Sequence, residues 1–327
     1  MSLDGENVVA NLPDGSKQAF PLHTLESIVS FSYRGASPAL MGKCVADGIN
    51  MAFYSPQGRF LCSVGNETNG NVLLRRAQFR IADNEVSSLK IAANMISAKL
   101  YNAKFVLLRC VRDHRLQVDT EALRVAADRI HGYTADALAA GSMDSLRGIE
   151  GNASAEYFSV FNELILQNKD CFGFDGRNRR PPLDPINALL SFAYSLLSNE
   201  CAYALRGVGL DPYVGFMHAD RPGRKSLALD MVEELRPAYA DRFVLFLINN
   251  RMLEPEDFET REGGAVLLTD KARKLFLAEW QKRKRETLTH PYLDEKVAWG
   301  LVPHVQALLL ARTVRGDLEE YPPFFWK

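Results

Sequence analysis

NVLLRRAQFRIADNEVSSLKIAANMISAKLYNAKFVLLR, residues 71–109, is where the texture of the chain changes. From Val72, Leu73 and Phe79 onward, apolar residues recur at spacings of three and four, and strand formers cease to alternate with polar ones. The period continues to the C-terminus and predicts helices near 71–82, 86–109, 120–140, 143–166, 185–206, 227–250, 270–288 and 293–315. One strand pair is expected inside this region, a short hairpin turning at Gly263-Gly264.

Upstream of Asn71 the pattern is that of strands. Val8 and Val9 precede the turn formers Pro13, Asp14 and Gly15, and residues 19–22 follow as a second arm. INMAFY (49–54) and RFLCSV (59–64) flank Ser55-Pro56-Gln57-Gly58, with proline at the second turn position and glycine at the fourth. SPALMGKCVADG (37–48) reads as one short helix ended by glycine. The expected class is therefore α+β: a small N-terminal β-rich domain over residues 1–70, then a larger, mostly α-helical catalytic domain over 71–327. A length of 327 residues agrees with two cores, because single cores stop growing at roughly 250–300 residues.

Composition narrows the function classes. The hydrophobic fraction of 47% and charged fraction of 24% are ordinary for a globular chain, and no apolar run approaches the roughly 18 residues that a membrane span needs. The opening MSLDGE carries no basic or apolar leader pattern, so a cytoplasmic location is expected. Five scattered cysteines without a CxxC pair point to neither a zinc knuckle nor a disulfide framework. A net charge of -1 gives no global field for a polyanion, so any nucleic-acid surface must be local.

Two stretches hold the residues with chemical potential. In HADRPGRKSLALDMVEELRP (218–237), Ser226 is a candidate N-cap, and a helix from Leu227 places Asp230, Glu233 and Glu234 on one stripe. His218, on the loop feeding that helix, can bring an imidazole to the same place. A solvated acidic face with a loop histidine is the competing reading. In SLRGIEGNASAEYFSVF (145–161), Glu150 lies in an amphipathic helix between Gly148 and Gly151, each costing about 1 kcal/mol against alanine. Close backbone approach and tight helix packing are the two explanations for such glycines.

Carboxylates with one imidazole suit Mn²⁺ or Mg²⁺ better than a structural zinc, since hard oxygen donors prefer hard cations. Such an ion can activate a water or a 3′-hydroxyl for attack on a phosphodiester. Asp230 is either a further ligand or the group that orients His218. Basic residues gather in two loops, Arg177, Arg179 and Arg180 in the first, Arg221, Arg224 and Lys225 in the second. Both groups are candidates for phosphate contact, with ordinary solubilising charge as the alternative.

Taken in order, RGIEGNASAEYF, RNRRPPLDPINALLSFAYSLL, DPYVGFMHADRPGRKSLALDMVEELRP and LVPHVQALLLARTVRGDLEEYPPFFWK resemble the CRISPR adaptation integrase family, as do PLHTLESIVSF and ASPALMGKCVADGINMAFYSPQGRFL upstream. The closing YPPFFWK is most similar to the branch found with type I-C systems. The resemblance implies a homodimer that joins with a small CRISPR-associated partner protein (Cas two). It also implies capture of short foreign DNA, duplex and branched, and joining of its 3′ ends to the repeat array by transesterification. On this resemblance the catalytic residues are Glu150, His218 and Glu233, with Asp230 adjoining, and Glu150, His218 and Glu233 hold the metal. Asn187 and Tyr194 fall in the matched segment and are taken first as packing residues. The family carries a further strand ahead of the part matched by SLDGENVV, and without it a sheet edge is expected to stand open. A non-catalytic DNA-binding scaffold and a hydrolase of small phosphoesters are the competing functions.

Overall fold

The computed structural model describes residues 1–327 apart from 13, 26, 56–59, 66–71, 179 and 327. The chain divides into two compact units, Met1–Asn69 and Gly70–Lys327.

In the first unit, β1 (Ser2–Asp4), β2 (Asn7–Asn11) and β3 (Lys17–Pro21) form an antiparallel sheet in that order, with β1 on one edge. The turn between β2 and β3 closes by Leu12 N–H donating to the Ser16 carbonyl at 2.9 Å; Pro13 lies outside the described residues. β4 (Ser27–Phe31), α1 (Pro38–Ala46), β5 (Asn50–Tyr54) and β6 (Phe60–Val64) make the second layer. β4 and β5 run parallel, so the chain must cross over through α1, whereas β6 returns antiparallel to β5. The Ser37 side chain caps α1 by accepting Leu40 N–H, and Gly48, at φ +71°, lets the chain leave toward β5. The turn expected at residues 55–58 falls, from 56 onward, outside the described residues. The core of this unit is Val8, Leu22, Leu40, Cys44, Met51 and Phe53.

The second unit is helical: α2 (Val72–Ala82), α3 (Glu85–His114), α4 (Thr120–Leu138), α5 (Met143–Ser159), α6 (Pro185–Gly207), α7 (Ser226–Arg236) and α8 (Arg242–Asn249). The hairpin β7 (Phe258–Thr260) and β8 (Val266–Leu268) follows, then α9 (Asp270–Arg285), a second hairpin of β9 (Thr287–Thr289) and β10 (Lys296–Ala298), and α10 (Val302–Arg315). α3 is the spine, buried along Ile91, Met95, Ile96, Leu100 and Leu107, with α4, α5 and α7 packed against it. Carboxylates and hydroxyls start several helices: Asp119 caps α4, Ser142 caps α5, Asp184 caps α6 and Thr269 caps α9.

Three expectations change. The single helix predicted over 227–250 is two, because α7 ends at Arg236 and a π turn over Pro237–Asp241 precedes α8. Pro237 has no N–H to give the carbonyl four residues back and its ring crowds that carbonyl, so the register widens there. The helix predicted over 143–166 stops at Ser159 and gives way to a 3₁₀ turn, Phe161–Leu164. The helix predicted from 293 starts only at Val302, so the Gly263-Gly264 hairpin is not the sole strand pair of this unit. Buried His290 turns the chain instead, its Nδ1 accepting the N–H groups of Tyr292 and Leu293 at 3.3 Å. No helix among the described residues is long and apolar enough to cross a membrane.

Candidate active site

Asp230, on the first turns of α7, is 1% exposed and accepts four hydrogen bonds. Its Oδ2 takes Phe216 N–H at 2.7 Å and Met217 N–H at 3.1 Å, and its Oδ1 takes His218 N–H at 3.0 Å and lies 2.6 Å from His218 Nδ1. A carboxylate only accepts, so Nδ1 carries the proton and Nε2 is the ring's open nitrogen. Asp230 thus holds the His218 ring through Nδ1. Burial lowers the His218 pKa, but the bond to Asp230 and its charge outweigh that and raise it. The loop reaches Asp230 because residue 215 is glycine: a Cβ there would stand 2.8 Å from Ser226 Cβ and 2.9 Å from Asp230 Oδ2. Ser226 is not the cap. It is the first residue of α7, buried, and its hydroxyl donates to the Ala219 carbonyl at 3.2 Å.

Glu150 on α5 and Glu233 on α7 close on one ammonium, that of Lys99 on α3. Lys99 donates to Glu150 Oε1 and stands 2.7 Å from Glu233 Oε2. Its side chain is 3% exposed, against 20% for Glu150 and 14% for Glu233. Ser154 Oγ donates to Glu150 Oε1 at 2.8 Å, and Arg236 NH1 lies 3.2 Å from Glu233 Oε2. Burial pushes both carboxyls up; Lys99 and Arg236 overcome it, so both titrate below the usual glutamate range. Glu234 leaves the expected stripe. It is wholly buried on the other side of α7, where its carboxylate accepts from Tyr321 Oη at 2.5 Å and from Gln306 Nε2 at 3.1 Å. Burial raises its pKa to about 7.

The donor chemistry fits a hard divalent cation: two ionised carboxylates from separate helices already share a cation, beside an imidazole whose Nδ1 is tied down. Among the described residues, however, no three His, Cys, Asp or Glu side chains stand close enough to hold one ion. The place between the carboxylates belongs to the Lys99 ammonium.

Gly148 and Gly151 are explained neither by close approach nor by tight packing, since a Cβ on either would meet nothing within 4 Å. Gly151 instead lines a cavity of about 610 Å³ beside Glu150, with Ser154, Phe158, Phe174, Arg177 and Arg236.

The basic loops divide. Arg177 is not a free loop cation. It donates to Asn187 Oδ1 and, at 3.1 Å, to Ser191 Oγ, and stands 5.3 Å from the Tyr194 ring centroid. Arg224 donates to the Ala219 carbonyl, and Lys225 turns inward to Asn199 Oδ1 at 2.8 Å, where burial lowers its pKa to about 8. Arg180 and Arg221 are exposed, and Arg179 lies outside the described residues. Asn187 is fully buried and ties the 176–178 loop to α6, while Tyr194 donates to Asp241 at 2.5 Å. Lys99, Arg236, Ser154 and Gly215 complete the centre; the last three lie inside the matched segments without being singled out there, and Lys99 lies outside them.

The order of a β-rich unit and then a helical unit is a fold shared with a Cas1 protein of Thermotoga maritima and with a casposase. A casposase bound to integration product superposes with a TM-score of 0.84 at 21% identity, over 99% of this chain and 91% of that one. A chain of a Cas6-RT-Cas1–Cas2 complex superposes at 0.79 and 21% identity, over 99% of this chain and 34% of that one. The family model described as CRISPR associated protein Cas1 matches residues 1–282, and the chain belongs to that family. It is 50% identical over 328 residues to CRISPR-associated endonuclease Cas1 2 of Rhodospirillum rubrum, covering 99% of this chain and 94% of the relative.

Proposed function

We propose that this chain is a metal-dependent DNA endonuclease and integrase of CRISPR adaptation, which joins the 3′ ends of captured foreign DNA to the repeat array by transesterification. The observation that carries the reading is the convergence of Glu150 and Glu233 on one cation, next to a His218 whose ring is fixed by Asp230. Glu150, Glu233 and His218 Nε2 would hold a Mn²⁺ or Mg²⁺ ion. Such an ion supplies positive charge that activates a water or 3′-hydroxyl and offsets charge at the phosphorus.

The residues of the chain set the stage for it. Asp230 keeps His218 in the tautomer that leaves Nε2 open, and Arg236 keeps Glu233 ionised despite burial. Lys99 holds the two carboxylates together and would have to yield that place for them to hold a divalent ion. Arg180 and Arg221 are the exposed cations of the two loops for DNA phosphates. The casposase and Cas1–Cas2 likenesses support DNA and Cas2 as partners, and the proposal further takes the chain to pair with a second copy of itself in the cytoplasm. The closing run from Tyr321 supports the type I-C branch.

The test is strand transfer and cleavage of branched DNA by Glu150→Gln, His218→Ala and Glu233→Gln with Mn²⁺. A loss of about 100-fold or more is expected in each with the melting temperature held. Full strand transfer by any one of the three, correctly folded, removes that residue from the centre. Metal-independent DNA binding with no turnover at any Mn²⁺ concentration would favour a scaffold instead.

A further inference from the structure

Ten residues along α3 from Lys99, about 15 Å at the helical rise, lies a second cluster that the chemistry above does not use. Trp326, 8% exposed, carries two guanidiniums over its ring, Arg242 at 4.1 Å and Arg109 at 5.4 Å from the centroid. Arg109, Arg112, Phe105, Leu108 and Trp326 line a cavity of about 210 Å³. The nearby carboxylates are already committed. Asp113 lies 3.5 Å from Arg109 and 2.7 Å from Arg112, and Glu286 pairs with Arg283. Four guanidiniums thus face two carboxylates, and among the described residues the Arg242 guanidinium makes neither an ion pair nor a hydrogen bond. Burial lowers the Arg242 pKa to about 9, Arg283 and Arg109 push it the same way, and Glu286 and Asp113 offset this only in part. A part-buried, repelled guanidinium without an anion is a cost that the fold carries unless an anion arrives.

We infer that Arg109, Arg112 and Arg242, gathered on Trp326, form a docking point for a nucleic-acid strand, apart from the acidic centre, in which guanidiniums take a phosphate. Guanidinium forks match phosphate oxygens in pairs. The apolar wall of Phe105 and Leu108 and the indole beside them offer a base a surface to lie on, which a simple oxyanion would not use. The inference rests on the DNA-processing reading above.

The test is anisotropy of a labelled duplex with single-stranded 3′ ends bound to the full chain in chelator, over a range of salt. It compares wild type with the exposed double variant Arg109→Gln/Arg112→Gln and with Arg242→Gln. Binding should weaken several-fold at low salt, and the slope of log K against log salt should fall by roughly one for each phosphate that is no longer neutralised. Turnover of saturating DNA with Mn²⁺ should be unchanged, and the melting temperature of Arg242→Gln should hold or rise. Unaltered slopes in both variants beside a steep wild-type slope would overturn the site and leave the DNA reading standing. No DNA binding by the wild type at any salt would overturn both. Polyglutamate that binds the wild type but neither variant, while the DNA slope is kept, would overturn it in favour of a protein partner.

Discussion

Lys99 brings one positive charge to two carboxylates in a nearly closed space, and much of the centre's behaviour follows from that ratio. Lys99→Met leaves Glu150 and Glu233 facing each other with Arg236 as the remaining nearby cation. In chelator this should cost about 3–5 kcal/mol, the scale for unpairing a buried charge. Mn²⁺ should then restore more stability to the variant than it adds to the wild type. Equal melting temperatures for the two proteins in chelator would contradict this. Gly215 is a second residue whose effect is local and readable, because any Cβ there collides with Ser226 and Asp230. Gly215→Ala should lose about 1–3 kcal/mol and displace His218, lowering strand transfer. A variant with wild-type melting and activity would show that the loop yields without cost. The sequence marks Lys99 faintly, as a lysine amid the buried run Ile96, Ala98, Leu100 and Ala103, a position that demands a partner. Its partner Glu150 lies 51 residues away and cannot be read from the spacing.

At the level of elements, α7 serves two sites at once. Asp230 and Glu233 face the acidic centre, while Glu234, one residue on, turns about 100° away to hold the C-terminal segment through Tyr321 and Phe324. Because folding raises the Glu234 pKa from 4.5 to about 7, the folded state binds the extra proton between those values. Its stabilising contribution is full below about pH 4.5 and is lost as pH rises through about 7. Glu234→Gln should therefore flatten the pH dependence of stability in that window, by a few kcal/mol at most. Identical slopes for variant and wild type between pH 4.5 and 7 would refute the assignment. The C-terminal segment is also strapped to α3 by Asn102, whose Nδ2 donates to the Phe324 carbonyl and whose Oδ1 accepts Trp326 N–H, both at 2.8 Å. Asn102→Ala strands buried backbone groups and should cost about 1–3 kcal/mol for each, measured by denaturant melts. A variant as stable as the wild type would mean water replaces the amide there.

Across the whole molecule, each of the two compact units has its own buried residues. Residues 71–327 expressed alone should therefore melt in one cooperative transition; a broad, non-cooperative melt would show that the helical unit cannot stand alone. The layout was legible in the chain because it rests on local periodicity. The period of two before Asn71 and the three-four spacing after it, with the turn formers around Gly15 and Gly263-Gly264, follow from short-range backbone and side-chain geometry. Glu150, Asp230, Glu233 and His218 were singled out by the order of the matched segments, which says nothing of how they meet. The break at Pro237 is a local effect of the missing N–H, whereas tertiary packing decided the hairpin replacing a helix near 293–301 and the inward turn of Arg177 and Lys225. Packing also separated Glu234 from its neighbour, tied Asp230 to the His218 ring, and set Lys99 between the two glutamates. These depend on which buried groups meet across long stretches of chain, and burial couples residues by distance in space, which sequence spacing does not encode.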